Sequence, residues 1–304
     1  MSKQEIKSEY TKEQSNKPSD DTSLISQLEK AAGGYFCRGD YENLNKVNVL
    51  WHSLSDTIKK EFILKKSYSA WVIFEAAADL NDIKFMEECW RYAENNQQKA
   101  KLLKGYFYGA YSKAAANNCK ESLKKLWEYA EEVEAQEELL EMSLVRAVER
   151  VAAKGHSFII LEIWSQLSSL ENNGLKYKIE MLQRGDGYID GSTTNYKALW
   201  QSIEKGHLHT AALLLYLCEN VIDGFNAQTA FNDRSKSKLS AEIREPLFME
   251  ALQAYQLFKT ILTSNIADTS NNTAESTLEI SGLRGEESQL DQELAGDITS
   301  ANPD

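Results

Sequence analysis

The sequence predicts an all-α fold, a solenoid of helical pairs flanked by disordered N- and C-terminal tails. Three observations predict it. Large apolar residues recur at three and four through the middle of the chain rather than at two, the period of an amphipathic helix. Only three prolines occur in 304 residues, and Pro18 and Pro303 lie in polar ends, so the middle is free to be helical except at Pro246. Four of the six tryptophans, Trp51, Trp90, Trp127 and Trp164, stand 39, 37 and 37 residues apart, and a fixed period of that size marks a repeat architecture.

Residues 1–22 are polar and of mixed charge. They bury too little apolar surface to offset the entropy of ordering, so this segment is expected to be disordered. The solenoid is expected from residue 23 to 264. A small-residue patch and a turn precede three of the tryptophans: Ala76-Ala77-Ala78-Asp79-Leu80-Asn81-Asp82, Ala114-Ala115-Ala116-Asn117-Asn118, and Ala152-Ala153-Lys154-Gly155-His156. A fourth turn, Glu204-Lys205-Gly206-His207-Leu208, puts Leu215 nine residues past Gly206, where Trp164 stands nine past Gly155. After each tryptophan comes a polar gap and an apolar group: Phe62-Ile63-Leu64, Leu102-Leu103, Leu139-Leu140 and Met181-Leu182. Each unit is therefore read as two helices, an alanine helix that allows close backbone approach and a tryptophan helix that fills the space opposite. Asn, Asp or Gly between them ends the first helix and accepts positive φ at little cost.

Trp164 to Leu215 is 51 residues. The excess is assigned to a glycine-rich loop near 184–194, and insertions in solenoids often fall on the binding face. A capping helix is expected near 240–262 and a disordered acidic tail over 265–304. That tail carries nine acidic residues against one basic, so -8 of the net charge of -12 belongs to it. The remainder is close to neutral, which argues against a nucleic-acid partner, since such binders carry a basic face. Four dispersed cysteines suit reduced thiols rather than a disulfide framework. With no signal-peptide pattern and no apolar run of bilayer length, a cytoplasmic chain without a membrane segment is expected.

The stretches Val151 to Leu167, VAAKGHSFIILEIWSQL, and Ile203 to Leu217, IEKGHLHTAALLLYL, resemble ankyrin repeats in the divergent form found in proteins of intracellular bacteria. The likeness covers roughly residues 30–220. It departs from the ordinary pattern in lacking the Thr-Pro-Leu-His signature, in units about four residues longer than 33, and in a helix around Gln97 to Tyr111 where a hairpin finger would stand. The resemblance implies a non-enzymatic scaffold that binds a protein. Glu286, Glu287, Asp291 and Glu293 in the tail resemble the glutamate-rich signals of type IV secreted effectors, which implies translocation into a host cytosol and a host protein as partner. The alternatives are a catalytic effector whose site is completed by the loop or the 226–264 region, and a cytosolic adaptor that is never exported.

No phosphate loop, nucleophile elbow or zinc pattern appears, so no catalytic, cofactor or metal residue is assigned. The Asp186 to Gly191 stretch lacks the calcium-loop ligands, having Tyr188 at position three and Lys197 at position twelve. His156 and His207 follow a glycine at equivalent positions and are read as turn residues. Partner contacts are assigned by repeat position to Asn81, Asn118, Lys154 and Lys205 in the turns, Tyr188 and Asp190 in the loop, and Trp71 and Trp200 on the alanine helices. The tryptophan series itself is read as core. Replacing 184–194 with a Gly-Ser linker is expected to preserve helicity by circular dichroism yet weaken partner capture; unchanged capture removes the loop from the binding surface.

Overall fold

The computed structural model describes residues 20–38, 41–105, 108–183, 196–232 and 241–270, and every regular element among them is an α-helix. In chain order these are α1 (Asp20–Arg38), α2 (Tyr41–Ser53), α3 (Asp56–Lys65), α4 (Ser67–Asp79), α5 (Ile83–Tyr92), α6 (Asn96–Lys104), α7 (Gly109–Ala116) and α8 (Lys120–Glu132). They continue with α9 (Gln136–Lys154), α10 (Ser157–Ser168), α11 (Gly174–Gln183), α12 (Lys197–Glu204), α13 (Leu208–Val221), α14 (Ala227–Asn232) and α15 (Ala241–Ser270). Two compact units divide the chain: Met1–Ala114 with Glu121–Leu139, and Ala115–Lys120 with Leu140–Asp304.

Each alanine helix ends the same way. Asn81, Asn118, Gly155 and Gly206 have φ of 56, 59, 74 and 73°, the left-handed region that glycine enters freely and asparagine more readily than most residues. The amide of each bonds the carbonyl three residues back, Ala78, Ala115, Ala152 and Ile203 respectively. The following amide reaches five back, from Asp82 to Ala77 at 3.0 Å, His156 to Val151 at 3.1 Å and His207 to Ser202 at 2.8 Å. This paired closure, a Schellman end, satisfies carbonyls that a helix terminus would otherwise leave orphaned. Ala77, Ala78, Ala115 and Ala152 are fully buried, so the small side chains sit where neighbouring helices come closest. Glu134, at φ 54°, repeats the turn at the end of α8, with the Ala135 amide on Ala130 O at 2.7 Å.

The apolar groups after the tryptophans are buried as expected, three of them on helices of their own and Leu139-Leu140 at the start of the helix that carries Ala152 and Ala153 in its last turn. Phe62 and Ile63 lie on α3, Leu102 and Leu103 on α6, Leu139 and Leu140 on the first turns of α9, and Met181 and Leu182 on α11, all at most 6% exposed. A bridging helix thus follows the Trp51, Trp90 and Trp164 helices where a helical pair was expected, whereas after Trp127 the chain passes straight into the alanine helix α9. The helix expected from Gln97 to Tyr111 is likewise two: α6 stops at Lys104, Gly105 turns the chain at φ 34°, and α7 begins at Gly109. Asn95 starts α6 by accepting the Gln98 amide at 3.0 Å, a local cap inside what reads as a polar gap.

At the ends, α1 begins at Asp20, inside the segment expected to be disordered, and α15 runs to Ser270, past the expected start of the tail at 265. Residues 1–19, the loop of 184–194 with Tyr188 and Asp190, and residues 271–304 lie outside the described residues.

Gly155 and Gly206 separate two costs. A Cβ at Gly206 meets nothing within 4 Å, whereas one at Gly155 comes within 2.6 Å of His207 Nδ1. Gly206→Ala is expected to cost about 1 kcal/mol from the left-handed backbone alone, and Gly155→Ala about 2 kcal/mol or more because the ring must also move. Urea unfolding measures both; equal losses show that the His207 contact is energetically empty.

Candidate functional site

A repeated brace holds Trp51 and Trp90 in the first unit. Trp51 of α2 is fully buried, and its Nε1–H donates to Glu88 Oε2 of α5 at 2.9 Å. Lys59 of α3 donates to the same oxygen at 2.9 Å and lies 5.6 Å from the indole centroid. One repeat on, Trp90 of α5 donates to Glu132 Oε2 of α8 at 2.8 Å, while Lys99 of α6 reaches Glu132 Oε1 at 2.5 Å and lies 5.5 Å from the Trp90 ring. The stacking partners are equivalent too. Trp51 stacks on Phe85 at 5.1 Å and Trp90 on Tyr129 at 4.1 Å, each aromatic standing three residues before its glutamate, on the same helical face. In the second unit Trp164 is half-buried and has Lys178 of α11 4.6 Å from its ring. Trp51, Trp90 and Trp127 are thus core residues as expected, and Trp164, expected with them, is not fully buried.

The turns are tied to neighbouring turns. Asn81 Oδ1 accepts the Ser122 amide at 3.0 Å, and its Nδ2 donates to Glu121 at 2.9 Å. In the second unit the His156 ring bonds the Ala116 main chain. His207 Nε2 donates to Ala153 O at 3.1 Å, with the proton on Nε2 because a carbonyl can only accept. Of the turn residues assigned to partner contact, Asn81 is therefore committed to the fold, and the Lys154 ammonium is bound to Asn117 Oδ1 at 2.6 Å. Asn118 and Lys205 are exposed.

The two alanine-helix tryptophans diverge. Trp200 is 9% exposed and stacks on Phe248 of α15 at 6.3 Å, so it packs inside the second unit. Trp71 of α4 is only half-buried and belongs to an aromatic surface. Phe36 of α1, Tyr68 and Trp71 meet edge to face, with centroids 5.8, 5.1 and 5.0 Å apart and planes at 79 to 84°. Tyr68 is 54% exposed. Gly105 backs the cluster, since a Cβ there would stand 3.3 Å from the Trp71 ring. Partial burial raises the Tyr68 pKa, and the nearby Cys37 and Glu75 raise it further, so the hydroxyl stays neutral and available as donor. Phe36 and Tyr68 were not singled out from sequence. Tyr68 carried a signal, standing three residues before Trp71 on one helical face; Phe36 carried none without the fold.

Among the described residues no three His, Cys, Asp or Glu side chains gather as a metal group, and no helix is long and apolar enough to cross a membrane. Burial pushes the Cys89 and Cys218 thiols up, away from the thiolate form that reacts. The chain matches no protein-family model, no curated protein and no solved structure.

Hydrogen bonds from Lys99 and Trp90 hold the Glu132 carboxyl below the usual carboxylate range. A depressed acid contributes stability that is present above its unfolded value, about 4.3, and is lost as pH falls through the folded value. The pair is partly exposed, Lys99 20% and Glu132 45%, so its coupling is expected at about 0.2 to 1 kcal/mol. A double-mutant cycle of Lys99→Met and Glu132→Gln at neutral pH should give that coupling, and it should shrink below pH ~4; a coupling independent of pH would exclude the ionic brace.

Proposed function

We propose that this chain is an ankyrin-like helical repeat protein whose work is to bind another protein, without catalysis of its own. The observation that carries the reading is the set of ties between successive turns, Asn81 to Ser122, His156 to Ala116 and His207 to Ala153. The His156 and His207 ties stand at equivalent positions, each one residue past a left-handed glycine, and the Asn81 tie links a neighbouring pair of turns; such ties suit stacked repeats, and a stack offers a preformed surface that loses little ordering entropy on binding.

The surface best suited to the contact is the Phe36, Tyr68 and Trp71 cluster of the first unit. Large rigid aromatics bring contact area at low conformational cost, and they dominate the energetics of protein interfaces. The edge-to-face packing fixes Trp71 from both sides, while Tyr68 presents a ring and a neutral hydroxyl outward.

Capture from a lysate by the full chain, followed by titration of the captured protein, tests both parts. Tyr68→Ala is expected to weaken binding about tenfold, roughly 1.4 kcal/mol. Tyr41→Ala, which removes an aromatic that is 70% exposed, is expected to leave binding unchanged. Equal affinity for Tyr68→Ala and the native chain moves the contact off this cluster, and turnover of a substrate by the purified chain would overturn the non-catalytic reading.

A further inference from the structure

The groups around Phe36, Tyr68 and Trp71 narrow what this aromatic patch of the first unit can hold. Its rings pack edge against face with centroids 5.0 to 5.8 Å apart, a contact in which each ring fills the space beside the next. That packing leaves no cage among the three rings for an ammonium group. The lysines bordering the patch are each held by a glutamate. Lys66, two residues before Tyr68, binds Glu29 at 3.0 Å, and Lys104, beside the Gly105 that backs Trp71, binds Glu138 at 2.7 Å. Glu75, one turn on from Trp71, is taken by Lys113 at 2.5 Å. The surface therefore offers aromatic faces without an unpaired ion beside them, and the exposed Tyr68 adds a hydroxyl whose raised pKa keeps it protonated, a donor.

Peptide segments are held in few ways, and each needs its own chemistry. Adding a strand needs a sheet edge, and among the described residues every regular element is a helix. Capturing a phosphate or an acidic segment needs a cluster of basic side chains, and the lysines here are already paired. A docked helix spends its carbonyls on its own amides, so it brings the Tyr68 hydroxyl no main-chain acceptor. A polyproline II segment does the opposite. It makes no internal hydrogen bonds, so its carbonyls stand free, and its pyrrolidine rings are compact apolar faces that lie on aromatic rings.

We propose that the Phe36, Tyr68 and Trp71 patch binds an uncharged, proline-rich segment in the polyproline II conformation, with pyrrolidine rings on the aromatic faces and a main-chain carbonyl accepting from the Tyr68 hydroxyl. This partner class rests on the patch being the surface that binds protein. Such a segment is extended before it binds, and the edge-to-face packing already fixes the rings that receive it, so neither side loses much freedom on association.

Fluorescence anisotropy of a labelled decaproline peptide titrated with the full chain tests this, against a Gly-Ser peptide of equal length and decalysine. Decaproline is expected to bind at least about tenfold more tightly than the Gly-Ser peptide. Tyr68→Ala is expected to weaken decaproline about tenfold, and Tyr68→Phe, which keeps the ring and removes only the hydroxyl, about threefold. Tyr41→Ala is expected to change nothing. Decaproline binding no tighter than Gly-Ser, or unmoved by both Tyr68 substitutions, overturns the proposal; so does decalysine binding that Tyr68→Ala weakens as much. If decaproline fails while Tyr68→Ala still weakens a protein captured by the chain, the partner class is wrong and the patch remains the contact surface. If Tyr68→Ala affects neither ligand, both readings fall.

Discussion

Everything regular in this molecule depends on ending a helix within one residue. The left-handed position at Asn81, Asn118, Gly155 and Gly206 reverses the chain so that the alanine helix and the tryptophan helix can face each other. A residue with a β-carbon pays roughly 1–2 kcal/mol to stand there, and the sequence places glycine or asparagine at all four. Two main-chain bonds lock the reversal at Asn81, Gly155 and Gly206, and buried Ala77, Ala78, Ala115 and Ala152 supply carbonyls to the first three turns. Small side chains serve both ends of the argument, since they expose carbonyls to the turn and let helices approach.

Tryptophan spacing is a consequence of that geometry. The Asn81 turn fixes where the Trp90 helix starts; Trp51 and Trp90 are both buried, and each finds an aromatic plane from the next tryptophan helix, Phe85 or Tyr129. An indole buried there still carries an N–H that must be satisfied. Glu88 and Glu132 accept it, and the carboxylates are in turn neutralised by Lys59 and Lys99 from the bridging helices. Three helices are thereby joined through one ring, α2, α3 and α5 in the first brace and α5, α6 and α8 in the second. The ion pairs alone contribute modestly at such partly exposed sites; their value lies in fixing the orientation of a large side chain.

The period and the turns were legible in the sequence because they rest on local chemistry: a glycine or asparagine after alanines, then a tryptophan at a set distance. Bridging helices were not, because α3, α6 and α11 are 9 to 10 residues long and so rich in polar residues that their apolar pairs read as the ends of neighbouring helices. Trp71 and Trp200 looked alike as sequence, both early on alanine helices. What separated them was the partner, Phe36 and Tyr68 for one, Phe248 of α15 for the other. Phe36 and Phe248 are 35 and 48 residues away, and only a folded chain pairs them.

The residue after the left-handed position shows how a helical turn exchanges local for lateral stability. At Asp82 the carboxylate turns inward and caps its own helix by accepting the Phe85 amide. Cys119, a poor acceptor, leaves the equivalent Ser122 amide to be capped by Asn81 from the preceding turn. At His156 the equivalent amide, that of Ile159, falls back on the His156 carbonyl at 3.1 Å, which frees the ring for the neighbouring turn. The donor is satisfied in all three cases. Where the side chain is short and acidic it serves its own helix; where it is not, the bond that results crosses to another turn of the same unit, a tie that no single helical pair could make.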